Sequence, residues 1–461
     1  MPIRSKVTRP ELRTWHDDVE ERLQAHGLHH TSYNVDGVSI ERGLGHDLHN
    51  EAIAAGKVHK WTFQHPVEGC SPIVLQAPVL KNGKPRVVGS DGKHLKKNGR
   101  GSATSGARVL ILGHYTVHYG MLSILAESPN SPLLRSDIIG VDRQDDRACA
   151  RLFSSAVIRQ IHTCHELQSE NGLIVYLWIV GEAVDAQQSR TLSHLERIKM
   201  LWRMRFFFDS WRQYIVDHPH YSIDTHFITR KLYDIISVFI NAMLLLVLIH
   251  RDFFPEIPLL LWLSSTEVCE HFFGCARKIQ KDFTFGEWIL MIPKIVLLMA
   301  GEFKARGFQA KASEHRSGYH HSWFETVGAD MKNLATFPSD SEIQECIKVA
   351  YEEAGSLLNI LGIENQASGS IEDMAFRLAD ALNIMYPADT ETELPVAQIT
   401  REVGVTAIDE LFAADDKDDV DKSRPNEVDQ KMTNLGIAAM AVTIHDALRM
   451  YVFPAMNLDN H

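Results

Sequence analysis

The stretch "SHLERIKMLWRMRFFFDSWRQYI", residues 193–215, does most to decide the fold. Ser193 followed by Glu196 has the form of a capping box, which marks the first turn of a helix. Apolar residues then recur at helical spacing, namely Ile198, Leu201, Trp202, Met204 and Phe208. The stretch therefore predicts a long helix with one side buried in a core.

Three further segments around it predict buried helices. They are "GARVLILGHYTVHYGMLSIL" (106–125), "GLIVYLWIVGEAVDA" (172–186) and "DTHFITRKLYDIISVFINAMLLLVLIH" (224–250). None shows the strict alternation of a half-buried strand. The longest apolar run, residues 235–249, is shorter than the roughly 20 residues that a membrane span needs. A buried helix is therefore the preferred interpretation, and we expect no membrane span.

The N-terminal part differs from this helical region. Residues 1–30 predict a charged helical lead-in, and residues 31–90 predict a small β-containing segment. Three short segments in it are rich in β-branched residues and are separated by Pro and Gly: "HKWTFQHP", "SPIVLQAPVL" and "KPRVVGSD". The predicted fold class is mainly α with a small β-containing N-terminal part.

The region that follows residue 301 changes in character. We expect a helical core over 91–301, a polar linker over 302–338 and an acidic helical C-terminal region over 339–461. The last region includes "DDKDDVDKSRPNEVD" (415–429), a charge run that is typical of a solvated loop.

Composition excludes some classes of protein. The formal net charge of −12 means that the chain is not a polycation, so any nucleic-acid surface must be a local basic patch. Six cysteines in 461 residues do not form a disulfide framework and indicate a reducing compartment. The N-terminus has no apolar segment of the secretory type, so we expect a protein that is not secreted.

The main basic segment is "SDGKHLKKNGRGSATSGAR" (90–108). Its cations are Lys93, Lys96, Lys97, Arg100 and Arg108, which follow Lys81, Lys84 and Arg86. Gly and Ser between them permit close approach of a phosphate to the backbone, although the nucleotide-binding pattern G-x-x-x-x-G-K-[ST] is absent. The segment is either a solvated basic turn or a contact for phosphate or nucleic acid.

Two patterns in the sequence raise the question of a metal site. Asp91 and His94 are three residues apart, which suits a helix cap or a metal ligand pair. "HTCH" (162–165) and "CEHFFGC" (269–275) hold His and Cys, but their spacing is too irregular for the two close pairs of a structural zinc site. We therefore do not predict zinc.

The stretch "STEVCEHFFGCAR" (265–277) predicts an amphipathic helix with Glu267, Glu270, Gly274 and Arg277 on one face. The apolar face consists of Val268, Phe272, Cys275 and Ile279. Ser264 and Glu267 have the form of a capping box, which gives Glu267 a structural role and leaves Glu270 without one. A two-metal phosphoryl-transfer site needs carboxylates from separate elements. The earlier candidates for this role are Asp36, Asp91 and Asp185.

Four segments resemble a family of transposon-derived proteins that is abundant in mushroom-forming fungi. They are "SDGKHLKKNGRG", "VDRQDDRACARLFSS", "GEAVDAQQSRTLSHLERIKM" and "SSTEVCEHFFGCARKIQKDFT", and the resemblance covers roughly residues 55–300. The order of motifs is more distantly similar to P element-type transposases, which have an RNase H-like core with two Asp and one Glu and a large helical insertion.

The P element-type resemblance is carried by two motifs. The motif Asp-x-x-His-Leu-x-Lys matches Asp91, His94, Leu95 and Lys97. The later motif Leu-Glu-x-x-Phe-Gly-x-x-Arg matches Glu270, Gly274 and Arg277, with Cys269 in place of Leu. Asp36 is placed to match the first catalytic Asp.

The resemblance implies a truncated or degenerate RNase H-like transposase core. The implied function is nucleic-acid (DNA) binding through Lys93, His94, Lys96, Lys97, Arg100, Arg108 and Arg277. One alternative is an active Mg²⁺-dependent DNA transposase or nuclease with Glu270, Asp91 and Asp36 as catalytic residues and Glu270 and Asp91 as metal ligands. A second alternative is a helical protein-interaction scaffold. The expected location is nuclear or nucleocytoplasmic, and the chain is a candidate homo-oligomer.

Overall fold

The computed structural model describes residues 8–35, 39–139, 145–308 and 329–363. Within these ranges the protein is mainly helical, with short strands toward the N-terminus, which confirms this part of the predicted fold class. The N-terminal elements are α1 (Arg9–Ala25), β1 (Ser32–Val35), α2 (Ser39–Ala54), β2 (Val58–Phe63), β3 (Ile73–Pro78) and β4 (Val87–Ser90). Strands β2, β3 and β4 lie in the three segments where the sequence predicts extended structure.

The strands form two separate pairs in this N-terminal part. β2 and β3 are antiparallel, with Val58 opposite Pro78 and Phe63 opposite Ile73. β1 and β4 are parallel, and they begin and end together, with Ser32 opposite Val87 and Val35 opposite Ser90. A parallel pair requires a long crossover, which here contains α2 and the β2–β3 hairpin.

The helical core follows β4. Its elements are α3 (Gly92–Thr104), β5 (Leu110–Leu112), β6 (Tyr115–Val117), α4 (Tyr119–Glu127), α5 (Asp146–Leu152), α6 (Ser155–Thr163), α7 (Asn171–Gln188), α8 (His194–Asp217), α9 (Ile223–His226) and α10 (Arg230–Phe253). Ser193 caps α8 and accepts from the backbone N–H of Glu196, as its sequence predicts. Helix α7 is buried along most of its length, and Tyr176, Phe207 and Trp211 are fully buried side chains of α7 and α8.

Helix α10 is the one described helix that is long and apolar enough to cross a membrane. In its most apolar 18-residue window, 78% of the residues are buried inside the protein. It packs against β4, α3 and α8, so its apolar length is used in the core. This arrangement agrees with the prediction of a buried helix.

The remaining described elements are α11 (Glu267–Ile279), α12 (Phe285–Phe308), α13 (Met331–Leu334) and α14 (Asp340–Leu361). Helix α14 packs along α8 and belongs to the main core, because Ile347 and Leu358 are buried there. Helices α11 and α12 pack on each other around a separate small core of Phe272, Cys275, Ala276, Trp288, Met291 and Ile295. The rest of the predicted C-terminal region, from residue 364 onward, lies outside the described residues.

The prediction of one buried helix over 106–125 is wrong. Residues 110–117 form the β5–β6 hairpin, and a helix begins only at Tyr119. Gly113 makes the turn with a φ of +62°, a left-handed conformation that glycine adopts without strain. Partners from distant helices satisfy the hairpin backbone: Trp211 Nε1 donates to the Ile111 carbonyl at 2.6 Å, and His114 N–H donates to the Leu361 carbonyl at 2.9 Å.

Candidate functional site

The parallel pair of β1 and β4 places Asp91 at the carboxyl end of the two strands. Val35 is the last residue of β1 and Ser90 the last of β4, and the two are register partners. Asp91 directly follows Ser90, and its N–H donates to the Val35 carbonyl at 3.3 Å. Asp36 directly follows Val35 and lies outside the described residues. The carboxyl ends of β1 and β4, which we call the strand-end edge, are a position where α/β proteins commonly bind ligands.

Asp91 is fully buried at this edge. It is the N-cap of α3, and its Oδ1 accepts from the Lys93 N–H at 3.0 Å. The same oxygen accepts from Ser265 Oγ at 3.0 Å. Its Oδ2 accepts from the Thr266 N–H at 3.2 Å and from the Thr266 hydroxyl. The cap that the sequence offered as one interpretation of Asp91 is thus confirmed, and the carboxylate also binds the residues that precede α11.

This contact brings together the two motifs that carry the family resemblance. Helix α11 begins at Glu267, so Glu270 lies in its first turn, and Thr266 is bound to Asp91. At 1.5 Å of rise per residue, the backbone of Glu270 is about 6 Å along the helix from Thr266. The position of the Glu270 side chain is outside what the structure describes, so its predicted role as a carboxylate partner of Asp91 stays a prediction.

The predicted capping box at the start of α11 is wrong. Thr266 occupies the N-cap position, and its side chain makes no capping hydrogen bond. Ser264 lies two residues earlier, at the end of a short 3-10 helix, Leu261–Leu263. The contact with Asp91 holds the backbone before α11, and such a long-range contact leaves no local pattern in the sequence.

Two more residues hold the segment before α11, and the sequence analysis did not identify either of them. Gln187, at the end of α7, is buried and donates from Nε2 to the Ser264 carbonyl at 2.9 Å. The Arg190 guanidinium lies over the indole of Trp262, 4.0 Å from the ring centroid. Both residues are in the segment "GEAVDAQQSRTLSHLERIKM", which is one of the four that carry the family resemblance. Membership of this segment was the sequence signal that could have identified them.

The predicted cations of 81–108 do not form one exposed surface. Arg86 and Arg100 are buried, with 2% and 1% exposure. Arg108 donates to the carbonyls of Ile223 and Phe227 at 3.1 and 3.3 Å. These three guanidinium groups are therefore either buried or hydrogen-bonded to the protein backbone.

Lys93 and Lys97 lie on α3 and share one carboxylate. Their Nζ atoms are 3.5 and 3.6 Å from Asp146, and their side chains are 13% and 12% exposed. The same helix carries His94 and Lys96, both of which are half-buried. Burial raises the pKa of the nearby Cys149 thiol to about 11, so this cysteine is protonated at neutral pH despite the charge of Arg100 and the lysines.

Arg277 is the exposed cation of the second motif. It lies on the face of α11 opposite Phe272 and Cys275, which are buried in the small core. The amphipathic pattern predicted for 265–277 is therefore confirmed at these three positions. Ile279, which the spacing also placed on the apolar face, is 38% exposed.

The described residues do not present a metal site. None of their His, Cys, Asp and Glu side chains form a group of three or more that could hold a metal ion. A Mg²⁺ ion also does not fit Asp91 as the structure has it, because a carboxylate has about four acceptor positions and Asp91 uses four in hydrogen bonds to the protein. Asp36 and the side chains of Glu270 and His271 lie outside the described residues, so these statements do not extend to them.

Comparison with known proteins gives one distant likeness. No protein-family model matches the sequence, and no curated protein matches it. Among solved structures, the Drosophila P element transposase strand transfer complex matches with 16% sequence identity and a TM-score of 0.41. The match covers 59% of this chain and 59% of that chain, so this protein spans less than two thirds of the transposase chain. A likeness at this level does not establish a shared fold.

Proposed function

We propose that this protein is transposase-derived and binds nucleic acid at the strand-end edge and along α11. The observation that carries the proposal is the contact of Asp91 with Ser265 and Thr266. It joins the start of the Asp-x-x-His motif to Ser265, 174 residues away, and to Thr266, just before the Glu-containing motif. The two segments that carry the resemblance therefore meet in space, as parts of one site would.

The charge distribution narrows the region that would contact phosphate. Arg86, Arg100 and Arg108 are occupied inside the protein, so a direct contact from them would require rearrangement. Arg277 on α11 is exposed, and Lys96 on α3 is half-buried, as Lys93 and Lys97 are. Lys93 and Lys97 are already paired with the Asp146 carboxylate. We propose that Lys96 and Arg277 each contact a phosphate of the bound nucleic acid.

A salt series of DNA binding by fluorescence anisotropy tests this proposal. Lys96→Glu and Arg277→Glu should each weaken binding and reduce the slope of log K against log salt by about 0.9 for duplex DNA, because each removes one phosphate contact. Lys60→Glu, at an exposed position on β2, is the matched control for net charge. If both variants bind DNA as the Lys60 variant does, the proposed surface is wrong.

A second candidate function is Mg²⁺-dependent DNA strand transfer or cleavage. It is favoured by the parallel register of Val35 and Ser90, which directly precede Asp36 and Asp91. The hydrogen bonding of Asp91 argues against it, so we derive no chemical step through a metal. Cleavage of labelled DNA that requires Mg²⁺ or Mn²⁺ and is lost in Asp36→Asn and Glu270→Gln would establish this candidate.

The other expectations stay proposals. If the wild type shows no salt-dependent DNA binding, the scaffold alternative is favoured. Homo-oligomer formation is tested by the molar mass in solution at several protein concentrations, and nuclear or nucleocytoplasmic location by imaging of a tagged chain.

A further inference from the structure

Helices α11 and α12 form a separately packed unit, which we call the arm. Its buried residues make a small cluster of their own, distinct from the main hydrophobic core in the described part of the chain. Phe272 and Trp288 meet edge to face in this cluster, with ring centroids 6.0 Å apart. The arm therefore has internal packing that does not depend on the main core.

The arm joins the main core through residues 262–266. Trp262 lies under Arg190, the Ser264 carbonyl accepts from Gln187, and Ser265 and Thr266 donate to Asp91. These contacts come from two regions that are far apart along the chain, namely Asp91 after β4, and Gln187 and Arg190 at the end of α7 and just after it. Because these contacts are polar and directional, they fix the orientation of the arm relative to the main core more specifically than apolar packing alone would.

We infer that Asp91 and Gln187 are positioning residues that hold the arm against the strand-end edge, and that Asp91 does this instead of binding a metal ion. The inference deepens the proposed function, because the arm carries Glu270 and Arg277. Its structural part does not depend on DNA binding.

The case for Asp91 rests on its acceptor positions. Each oxygen accepts two hydrogen bonds, and all four donors belong to the protein. A metal ion could bind only if a donor were released, and release of Ser265 or Thr266 would free the start of α11. The Asp91 carboxylate can therefore either accept these hydrogen bonds from Ser265 and Thr266 or coordinate a metal ion. In the structure it accepts the hydrogen bonds.

The case for Gln187 rests on its buried contact and on Gly92. The Gln187 side chain lies where a Cβ atom at position 92 would be, with its Cδ 2.9 Å from that point. Phe239 closes the other side, with Cε2 at 3.1 Å. Any side chain at position 92 would displace Gln187, and the glycine next to Asp91 is therefore required for the hydrogen bond to Ser264.

Hydrogen exchange measured by mass spectrometry on the full chain tests the inference. Asp91→Asn, Thr266→Val and Gln187→Leu should each accelerate exchange in peptides from 267–308 by at least tenfold. Peptides from α8 and α10 should keep their protection, which shows that the variants are folded. Thr266→Ser retains the hydroxyl donor and should restore protection to the arm. Unchanged exchange of the arm in both Thr266→Val and Gln187→Leu would overturn the inference, even if Asp91→Asn does not fold.

Two further measurements separate a positioning role from a general structural role and from metal binding. Arg277→Glu should weaken DNA binding of the wild-type protein. In the Thr266→Val background, where the arm is no longer held, the same substitution should change log K by less than half as much. Mn²⁺ binding should be the same in the wild type and in Asp91→Asn. Loss of Mn²⁺ binding in Asp91→Asn with unchanged arm exchange would show that Asp91 is a ligand. If the arm is released but the wild type does not bind DNA, the inference holds and the proposed function fails.

Discussion

The guanidinium of Arg203 forms a bidentate pair with the carboxylate of Glu182 inside the helical core. Nε donates at 2.8 Å and Nη2 donates to the other oxygen, with side-chain exposures of 7% and 8%. The remaining nitrogen, Nη1, donates to Glu353, and the group lies 4.8 Å from the Trp178 ring centroid. One side chain of α8 thus joins α7 and α14.

Arg203→Met should destabilise the protein by about 3–5 kcal/mol, because it leaves Glu182 buried without its partner. The double variant Arg203→Met/Glu182→Met should lose less stability than Arg203→Met alone, because no unpaired charge remains at position 182. Urea denaturation followed by circular dichroism measures both. Arg22→Met, in the exposed Arg22–Asp18 pair, is the control and should cost less than about 1 kcal/mol. If Arg203→Met lost no more stability than Arg22→Met, the structural role of the buried pair would be contradicted.

Arg86 contacts His16 and Glu20 on α1 and His30 in the segment between α1 and β1. Its Nη1 donates to His16 Nε2 at 2.9 Å and to His30 Nε2 at 3.2 Å, and it also bonds Glu20 at 2.8 Å. Because arginine has no acceptor, both ring nitrogens must be unprotonated. Burial, followed by the charge of Arg86, lowers the pKa of His16 and brings the pKa of His30 to about 3.

The free energy of unfolding should therefore fall as the pH drops below about 6.5. The unfolded state gains protons near the ordinary histidine pKa, whereas folded His30 stays neutral down to about pH 3. Each such ring contributes up to about 1.4 kcal/mol per pH unit. Urea midpoints measured from pH 7.5 to 4.5 should show a weaker pH dependence for His30→Asn than for His220→Asn, which changes an exposed ring. Equal slopes in the two variants would refute this assignment.

Local signals in the sequence predicted local features well. Ser193 caps α8, Asp91 caps α3, and the strands β2 to β4 lie in the segments rich in β-branched residues. Each of these features depends on neighbours along the chain. Capping and strand propensity could be inferred from spacing at these positions, whereas the same signals failed for Ser264–Glu267 and for β5 and β6.

Features that depend on distant partners could not be predicted in this way. Gln187 and the Ser264 carbonyl are 77 residues apart, and nothing near either residue indicates their contact. The lysines of 90–108 looked like an open patch because their partner, Asp146, lies on another helix. The parallel register of β1 and β4 likewise depends on a crossover that the sequence pattern does not specify.

The misread hairpin provides the last prediction. Gly113 turns the chain between β5 and β6, and a Cβ atom there would collide with the carbonyl of Leu361 at the end of α14. Gly113 therefore meets two requirements, a positive φ and a close approach of two backbones. Gly106 shares the positive φ, at +70°, but has nothing within 4 Å of the Cβ position.

Gly106→Ala should cost only the backbone strain of a left-handed residue, about 1–2 kcal/mol. Gly113→Ala should cost more than this control, because the collision involves backbone atoms that cannot rotate away. It should also separate the hairpin from α14, and hydrogen exchange should become faster in peptides that contain His114, whose N–H donates to the Leu361 carbonyl. Chemical denaturation and exchange of the two variants provide the comparison. Equal stability losses would show that the contact between the hairpin and α14 does not constrain Gly113.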